Sequence, residues 1–286
     1  MFSVSEIWRY PVKSMQGERL RETPITEWGL PGDRAWAVRD EVRGGIRGAK
    51  KIAELMRCRA RYTADPKPGE ILAAEMTFAD GTQCGTDSPD ANNALSTALG
   101  QRVTLWPLQP ASDLDHYRRG APDNEDLEQE LREIFAVLPD ETLPDISALP
   151  PEVFEFESPP GTYFDAFPLL VMTDASLRRL SELLPDSSID VRRFRPNLLI
   201  ATSPERAGFV ESDWVGKRFR LGDCEIDIAA LCPRCVMTTL PFDSLPKDPR
   251  IMRTLVREAN HNLGVYARVV KPGAVRVGDR FEEIGC

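Results

Sequence analysis

Apolar and polar residues alternate from the start of the chain: Met1-Phe2-Ser3-Val4-Ser5-Glu6-Ile7 reads as a strand. Pro11 then ends regular pairing and puts Lys13 and Ser14 on a bend. A turn over residues 28–34 delivers Arg34 into a second run, where Trp36 and Val38 interleave with Ala35, Ala37 and Arg39. Gly44-Gly45-Ile46-Arg47-Gly48 is a hairpin-type loop, and residues 58–64 and 71–78 read as further strands. Asp87-Ser88-Pro89 opens a helix through Leu95 and Leu99 that Gly100 stops. Val103, Leu105 and Trp106 close a first third that is mostly β, most simply a small barrel-like domain.

The pattern changes in residues 111–165, which hold 15 acidic and 3 basic residues and seven prolines. Inside this segment Leu127, Leu131, Ile134, Phe135 and Leu138 form one apolar stripe on an otherwise acidic helix, expected to dock on the body while the rest is solvated. Regular patterning returns with an apolar run at 167–172, a helix capped by Thr173 or Asp174, and strands at 198–200 and 217–230. Within the last, Cys224, Ile226 and Ile228 share a face, so Cys224 belongs to the core. Ile251, Met252, Leu255, Val256 and Ala259 mark another amphipathic helix before closing strands at 263–270 and 274–283. The expected class is α+β, mainly β, with domains at 1–110 and 166–286 around the insertion at 111–165.

Composition narrows the partners. The chain of 286 residues is 42% hydrophobic and 28% charged, which fits a globular protein, and the apolar run at 167–172 is too short for a membrane span. The start lacks a signal-peptide profile, so a cytoplasmic protein with reduced thiols is expected. A net charge of −9 disfavours nucleic acid, yet the segment 111–165 alone carries −12. The remainder, −9 minus −12, is about +3, which leaves room for a basic pocket that takes an anionic small molecule.

The most chemical stretch is Leu231-Cys232-Pro233-Arg234-Cys235-Val236-Met237-Thr238-Thr239. Two thiols at this spacing admit four readings: half a zinc site, a thioredoxin-like dithiol, inert core thiols, or one thiolate on a soft metal carried by a cofactor. Only His116 and His261 are available as further zinc ligands among histidines, and they form no close pair. Residues 236–239 read as extended rather than as the helix a dithiol site needs. Arg234 weakens the inert reading, because a guanidinium is rarely buried unpaired, and it is expected to lower the neighbouring thiol pKa. Lys13, Ser14, Arg34, Arg195 and Asn197 also lie at turns or strand ends, where they are able to present charge-assisted bonds to a phosphate or a polar heterocycle. Phosphate loops, dinucleotide fingerprints and nucleophile elbows are missing from the sequence.

In order along the chain stand Tyr10-Pro11-Val12-Lys13-Ser14, Gly32-Asp33-Arg34-Ala35-Trp36, Arg193-Phe194-Arg195-Pro196-Asn197, the cysteine stretch, Asn262-Leu263-Gly264-Val265-Tyr266 and Val277-Gly278-Asp279. This series resembles the MOSC domain family with its N-terminal MOSC β-barrel domain, and within it the mitochondrial amidoxime-reducing components and their bacterial counterparts. The resemblance covers both ends of the chain and skips the acidic insertion. It implies a MOSC β-barrel-type domain with peripheral helices, a smaller N-terminal β-rich domain, and a molybdenum–molybdopterin cofactor. By that resemblance Cys235 is the molybdenum ligand and catalytic residue. Lys13, Ser14 and Arg34 hold the phosphate, and Arg195, Asn197, Pro233 and Arg234 contact the pterin, with Ser176 as a further cofactor contact.

The implied activity is an oxidoreductase that reduces N-hydroxylated compounds, with loss of water. The expected partners are a small N-hydroxylated substrate and a separate electron-transfer protein of ferredoxin or flavoprotein type, acting with a monomer. A molybdenum-cofactor or sulfur carrier that uses Cys235 without redox turnover is the alternative. Pyridoxal phosphate enters only by family association, because the desulfurase domain that some members carry has no room in 286 residues. Two departures fall beside the expected ligand: Pro233 stands where reductases often have serine, and Leu240-Pro241-Phe242-Asp243-Ser244 replaces an Asp-Pro-Asp-Thr-Gly run.

Overall fold

The alternating start of the chain forms β1 (Phe2–Arg9), and its partners come from the opposite end of the sequence. The computed structural model describes residues 2–285. Met1 and Cys286, which entered the strand and thiol readings above, lie outside the described residues. After β1 come β2 (Glu18–Leu20), β3 (Glu22–Ile25), β4 (Trp36–Asp40), β5 (Arg59–Arg61), β6 (Glu75–Thr77), β7 (Gln83–Gly85), α1 (Ala91–Leu99) and β8 (Val103–Pro107). The acidic segment carries α2 (Leu114–Tyr117), α3 (Leu127–Phe135) and α4 (Glu152–Glu155). The last part holds β9 (Leu169–Thr173), α5 (Asp174–Leu183), β10 (Leu198–Ala201), β11 (Arg218–Leu221) and β12 (Cys224–Pro233). It ends with α6 (Arg250–Ala259), β13 (Asn262–Lys271), β14 (Gly273–Arg276) and β15 (Arg280–Ile284). With 30% strand against 22% helix the chain is mainly β, as expected.

Seven strands close into a barrel in the order β1, β10, β9, β13, β12, β11, β15 and back to β1. β1 is the strand that closes it: Ile7 faces Leu198 on β10, and Phe2 faces Phe281 on β15. Closure removes the free edges that would otherwise invite pairing with another chain. β9 and β10 run parallel, with α5 as the crossover between them, and the Thr173 hydroxyl caps that helix by accepting from Ser176 N–H at 3.2 Å. Val4, Ile7, Val171, Ile200, Phe219 and Phe281 are among the residues that fill the interior. Cys224 lies with them as expected, its thiol pushed up to about 12 by burial. Gly264 on β13 has φ +82, and a Cβ there would stand 2.7 Å from Met172 Cγ, so only glycine lets β13 approach β9 this closely.

The first third builds a second core from the β4–β8 ladder, the β5–β6–β7 sheet and α1. Val12, Met15, Trp36, Val38 and Leu95 belong to it, and so do Leu240 and Phe242 from the stretch after Cys235. The cysteine segment is therefore anchored in both cores. The expected strands at 58–64 and 71–78 shorten to β5 and β6, the closing pair becomes three strands, and β14 pairs with β3. Among the described residues no helix is long and apolar enough to cross a membrane.

Two expectations change. Residues 236–239 form a single 3-10 turn instead of extended chain, because Thr238 N–H reaches back to Cys235 O at 3.2 Å. The insertion helix α3 docks by charge as much as by its stripe. Leu127 is 70% exposed and Leu138 45%, while Glu130 is buried against Lys51. Asp123 bonds Arg47 at 2.8 Å and Lys51 at 3.2 Å, Glu157 bonds Lys50 at 2.8 Å, and Glu141 pairs with Arg253. Five of the segment's fifteen acidic residues, Asp123, Glu130, Glu141, Glu157 and Asp165, are thus paired with basic residues of the body.

Candidate functional site

Strand β12 delivers the cysteine stretch. Along β12 Cys224, Ile226 and Ile228 fill the barrel interior, and a bulge between Ile228 and Ala230 then turns Leu231 to that interior and packs Ala230 with Phe167 and Tyr266, ahead of the buried Cys232 and Arg234. Cys235 then keeps an extended backbone before the 3-10 turn. The hydroxyls of Thr238 and Thr239 bond back to Cys235 O at 3.1 Å and Val236 O at 2.7 Å, so they hold the turn in place.

Opposite lies the turn after residues 191–193, with Arg195 at φ 56, and beside it the bend at Ser14 (φ 69) and the turn ending at Arg34 (φ 51). A left-handed backbone costs a non-glycine residue roughly 1–3 kcal/mol and persists only where the surroundings fix it, and such residues cluster at functional sites. Here Tyr10 supplies part of the fixing. Its carbonyl accepts from Arg34 N–H at 2.6 Å, its hydroxyl donates to Pro196 O at 2.9 Å, and its ring carries Arg34 at 5.1 Å and Arg195 at 4.1 Å from the centroid.

The turns at Arg34 and Arg195 and the end of β12 line one cleft. It brings together Arg34, Arg195, Asn197, Pro233, Arg234 and Cys235, six of the residues singled out from the sequence. The enclosed part measures about 60 Å³, room for a few water molecules. Arg234 donates from Nη1 to Cys232 Sγ at 3.0 Å and from Nη2 to Phe194 O at 2.6 Å, which leaves its buried Nε without a partner. Arg195 donates from Nη1 to Met15 O, and its buried Nη2 is likewise unpartnered. Burial, with Arg34 close by, brings the Arg195 pKa down to about 10.

The two ends of the chain match established domain families. A model described as the MOSC N-terminal beta barrel domain matches residues 1–106, and one described as the MOSC domain matches residues 160–282. The chain carries a MOSC domain. It is 33% identical over 131 residues to mitochondrial amidoxime reducing component 2 of Homo sapiens, a stretch covering 41% of this chain and 37% of that protein's length. It is 25% identical over 320 residues to mitochondrial amidoxime-reducing component 1 of Mus musculus, covering 99% of this chain and 82% of that one. Among solved structures it is similar to YUAD protein from Bacillus subtilis, with a TM-score of 0.43 and 10% identity over 98% of this chain and 94% of that chain.

Within the MOSC domain, the pair Cys232 and Cys235 is asymmetric. Cys232 is 2% exposed and accepts from Arg234, whereas Cys235 is partly exposed in the cleft. Burial pushes the Cys235 thiol up. A bond from Met237 N–H opposes this and Asp165 adds to it; the Arg234 charge lowers the thiol as expected, but burial outweighs it. Among the described residues no three of His, Cys, Asp or Glu stand together as metal ligands, so the cysteines lack the further protein ligands of a tetrahedral zinc site.

The remaining sequence candidates lie elsewhere or are engaged within the protein. Lys13 is buried behind the cleft and donates to Tyr163 O at 2.8 Å, Asp165 Oδ1 at 3.0 Å and Ser158 Oγ at 3.2 Å. The Ser14 hydroxyl accepts from Ala49 N–H at 2.9 Å. Asn197 lines the cleft, but its side chain accepts from Leu170 N–H at 3.1 Å and donates to Asp33 at 3.0 Å and Trp8 O at 3.3 Å. Ser176 is not brought to the cleft lining. It sits in a buried knot with Thr173, donating to Glu211 Oε2 at 2.5 Å. Sequence reasoning gave no role to Asp165 or Tyr10. Tyr10 stood inside a quoted motif and Asp165 at the last position of the acidic segment, so position alone was the available signal.

Proposed function

We propose that this chain binds a molybdenum–molybdopterin cofactor in the cleft and reduces N-hydroxylated compounds with electrons from a separate carrier protein. The observation that carries the reading is the pair of buried, unpartnered guanidinium donors, Arg195 Nη2 and Arg234 Nε, in the same cleft as the Cys235 thiol. Unsatisfied buried donors are costly, and an anionic, acceptor-rich heterocycle would satisfy them. A bound metal cation would also offset the raised thiol pKa, because metal binding favours the thiolate over the protonated form.

When bound, the cofactor supplies the two-electron chemistry. The chain supplies the rest. Cys235 Sγ offers one sulfur ligand on a segment anchored in both cores, Arg195 and Arg234 orient the heterocycle, and Phe167 and Leu170 line the cleft as apolar wall.

The test is metal analysis of the purified protein, followed by benzamidoxime reduction with a chemical reductant. Stoichiometric molybdenum together with turnover is the expected result, and Cys235→Ser should lose the metal. Full molybdenum retention in Cys235→Ser would remove the ligand assignment, and bound cofactor without turnover would favour the carrier reading.

A further inference from the structure

One carboxylate stands among the cations of the cleft. Asp165 exposes 60% of its side chain, while Lys13, its partner at 3.0 Å, exposes 3%. The cation is built into the fold and the anion is the accessible member of the pair. Burial would raise the Asp165 pKa, but Lys13, Lys50 and Arg34 outweigh that and hold the carboxyl well below its ordinary range. Lys50 comes from a loop locked onto the Lys13 bend. Ala49 N–H donates to Ser14 Oγ at 2.9 Å, and a Cβ on Gly48 would meet that same oxygen at 2.7 Å. Lys50 itself is paired at 2.8 Å with Glu157, which Arg119 also holds at 2.7 Å. Residues 157–165 thus lay two carboxylates over a fixed pair of lysines beside the cleft.

We propose that Asp165 is a resident counter-anion, that an incoming phosphate monoester displaces it from Lys13, and that Lys50 joins Lys13 in holding that phosphate. The identity of the phosphate's owner rests on the cofactor reading above, whereas the exchange itself does not. The exchange breaks one ion pair, buried on the lysine side and open on the carboxylate side, and forms another charge-assisted one, with Lys13 unmoved among Ser158 and Tyr163. Displacement also opens the cleft at the side where Asp165 lines it.

The experiment titrates inorganic pyrophosphate by calorimetry into the full chain produced in cells that make no molybdopterin. Asp165→Asn should bind about tenfold more tightly than the parent and Lys50→Met about tenfold more weakly, the scale of one charge pair near a protein surface. Lys247→Met, at an exposed lysine outside the cleft lining, should bind as the parent does. Asp165→Ser repeats the test should the asparagine variant fail to fold. Unchanged or weaker binding in the Asp165 variants overturns the proposal, and so does an equal loss in Lys247→Met. Molybdenum content of the ordinarily produced protein separates the two readings. Metal absent with the pyrophosphate pattern as expected leaves the exchange standing without the cofactor. Metal present with no tightening in Asp165→Asn overturns the exchange alone.

Discussion

Tyr10 carries two of the site's arginines on its ring and ties the turn at Pro196 to the first bend through its hydroxyl. Removing only the hydroxyl, in Tyr10→Phe, leaves the Pro196 carbonyl without this donor and should cost about 1–3 kcal/mol. Tyr10→Leu removes the aromatic face as well, each desolvated cation–π contact adding about 0.5–2 kcal/mol. Urea unfolding should therefore rank the parent above Tyr10→Phe and that above Tyr10→Leu. Equal stability of the two variants would show that the ring does not carry the arginines. At this scale the sequence was readable where a residue type is itself chemical, as with Arg34, Arg195, Arg234 and Cys235 at turns. It was not readable where a role lies in a distant contact. Tyr10 meets Pro196 and Asp165 meets Lys13 across separations of 186 and 152 residues, which no local pattern records.

β12 was legible as far as Ile228, because period-2 alternation follows directly from strand geometry and put Cys224, Ile226 and Ile228 on one face, whereas the bulges that set Ala230 to Pro233 leave no such pattern. The turn at 236–239 was not, because Val236-Met237-Thr238-Thr239 has β-favouring composition and the Thr hydroxyls fold it back through backbone bonds. Ser176 shows the same limit: its place at the first turn of α5 was readable, but Glu211 on a distant 3-10 turn claims its hydroxyl. Glu211 is fully buried, and burial raises its carboxyl above the ordinary 4.5 despite bonds from Ser176 and Thr173. The folded state then holds the proton more tightly than the unfolded state. The associated stability is present below pH 4.5 and lost as pH rises through the folded value. Glu211→Gln keeps an accepting oxygen for the two hydroxyls and does not titrate. Its stability should lose this decline above pH 4.5, measured by urea unfolding at a series of pH values. An unchanged profile would place the pH dependence elsewhere.

At the scale of the whole molecule the barrel is closed by the first strand of the chain, a pairing set by topology that alternation in residues 2–9 cannot disclose. The same holds for the insertion. Its acidity was plain in composition, but the basic residues that take it up, Arg47, Lys50, Lys51 and Arg253, are scattered through the body and look like ordinary surface charge. This docking has a consequence for the site, because α3 packs against the 3-10 turn that follows Cys235. Lys51 is the keystone of the contact: 12% exposed, it pairs with Glu130 and with Asp123 at 3.2 Å. Lys51→Met leaves the 9%-exposed Glu130 side chain without its main cation, for a cost of about 1–3 kcal/mol, between exposed and fully buried pairs. The loss should fall on the insertion rather than on the barrel, whose core the pair does not touch. Limited proteolysis should therefore cut within residues 121–141 faster in Lys51→Met, while backbone amides of β9 and β13 keep their hydrogen-exchange protection. Raising salt should accelerate cleavage of the parent toward that of the variant, since screening shortens to a few ångströms near 1 M, at about 3 Å. Cleavage indifferent to both the substitution and salt would mean that the apolar stripe of α3, rather than its charges, holds the insertion over the cysteine segment.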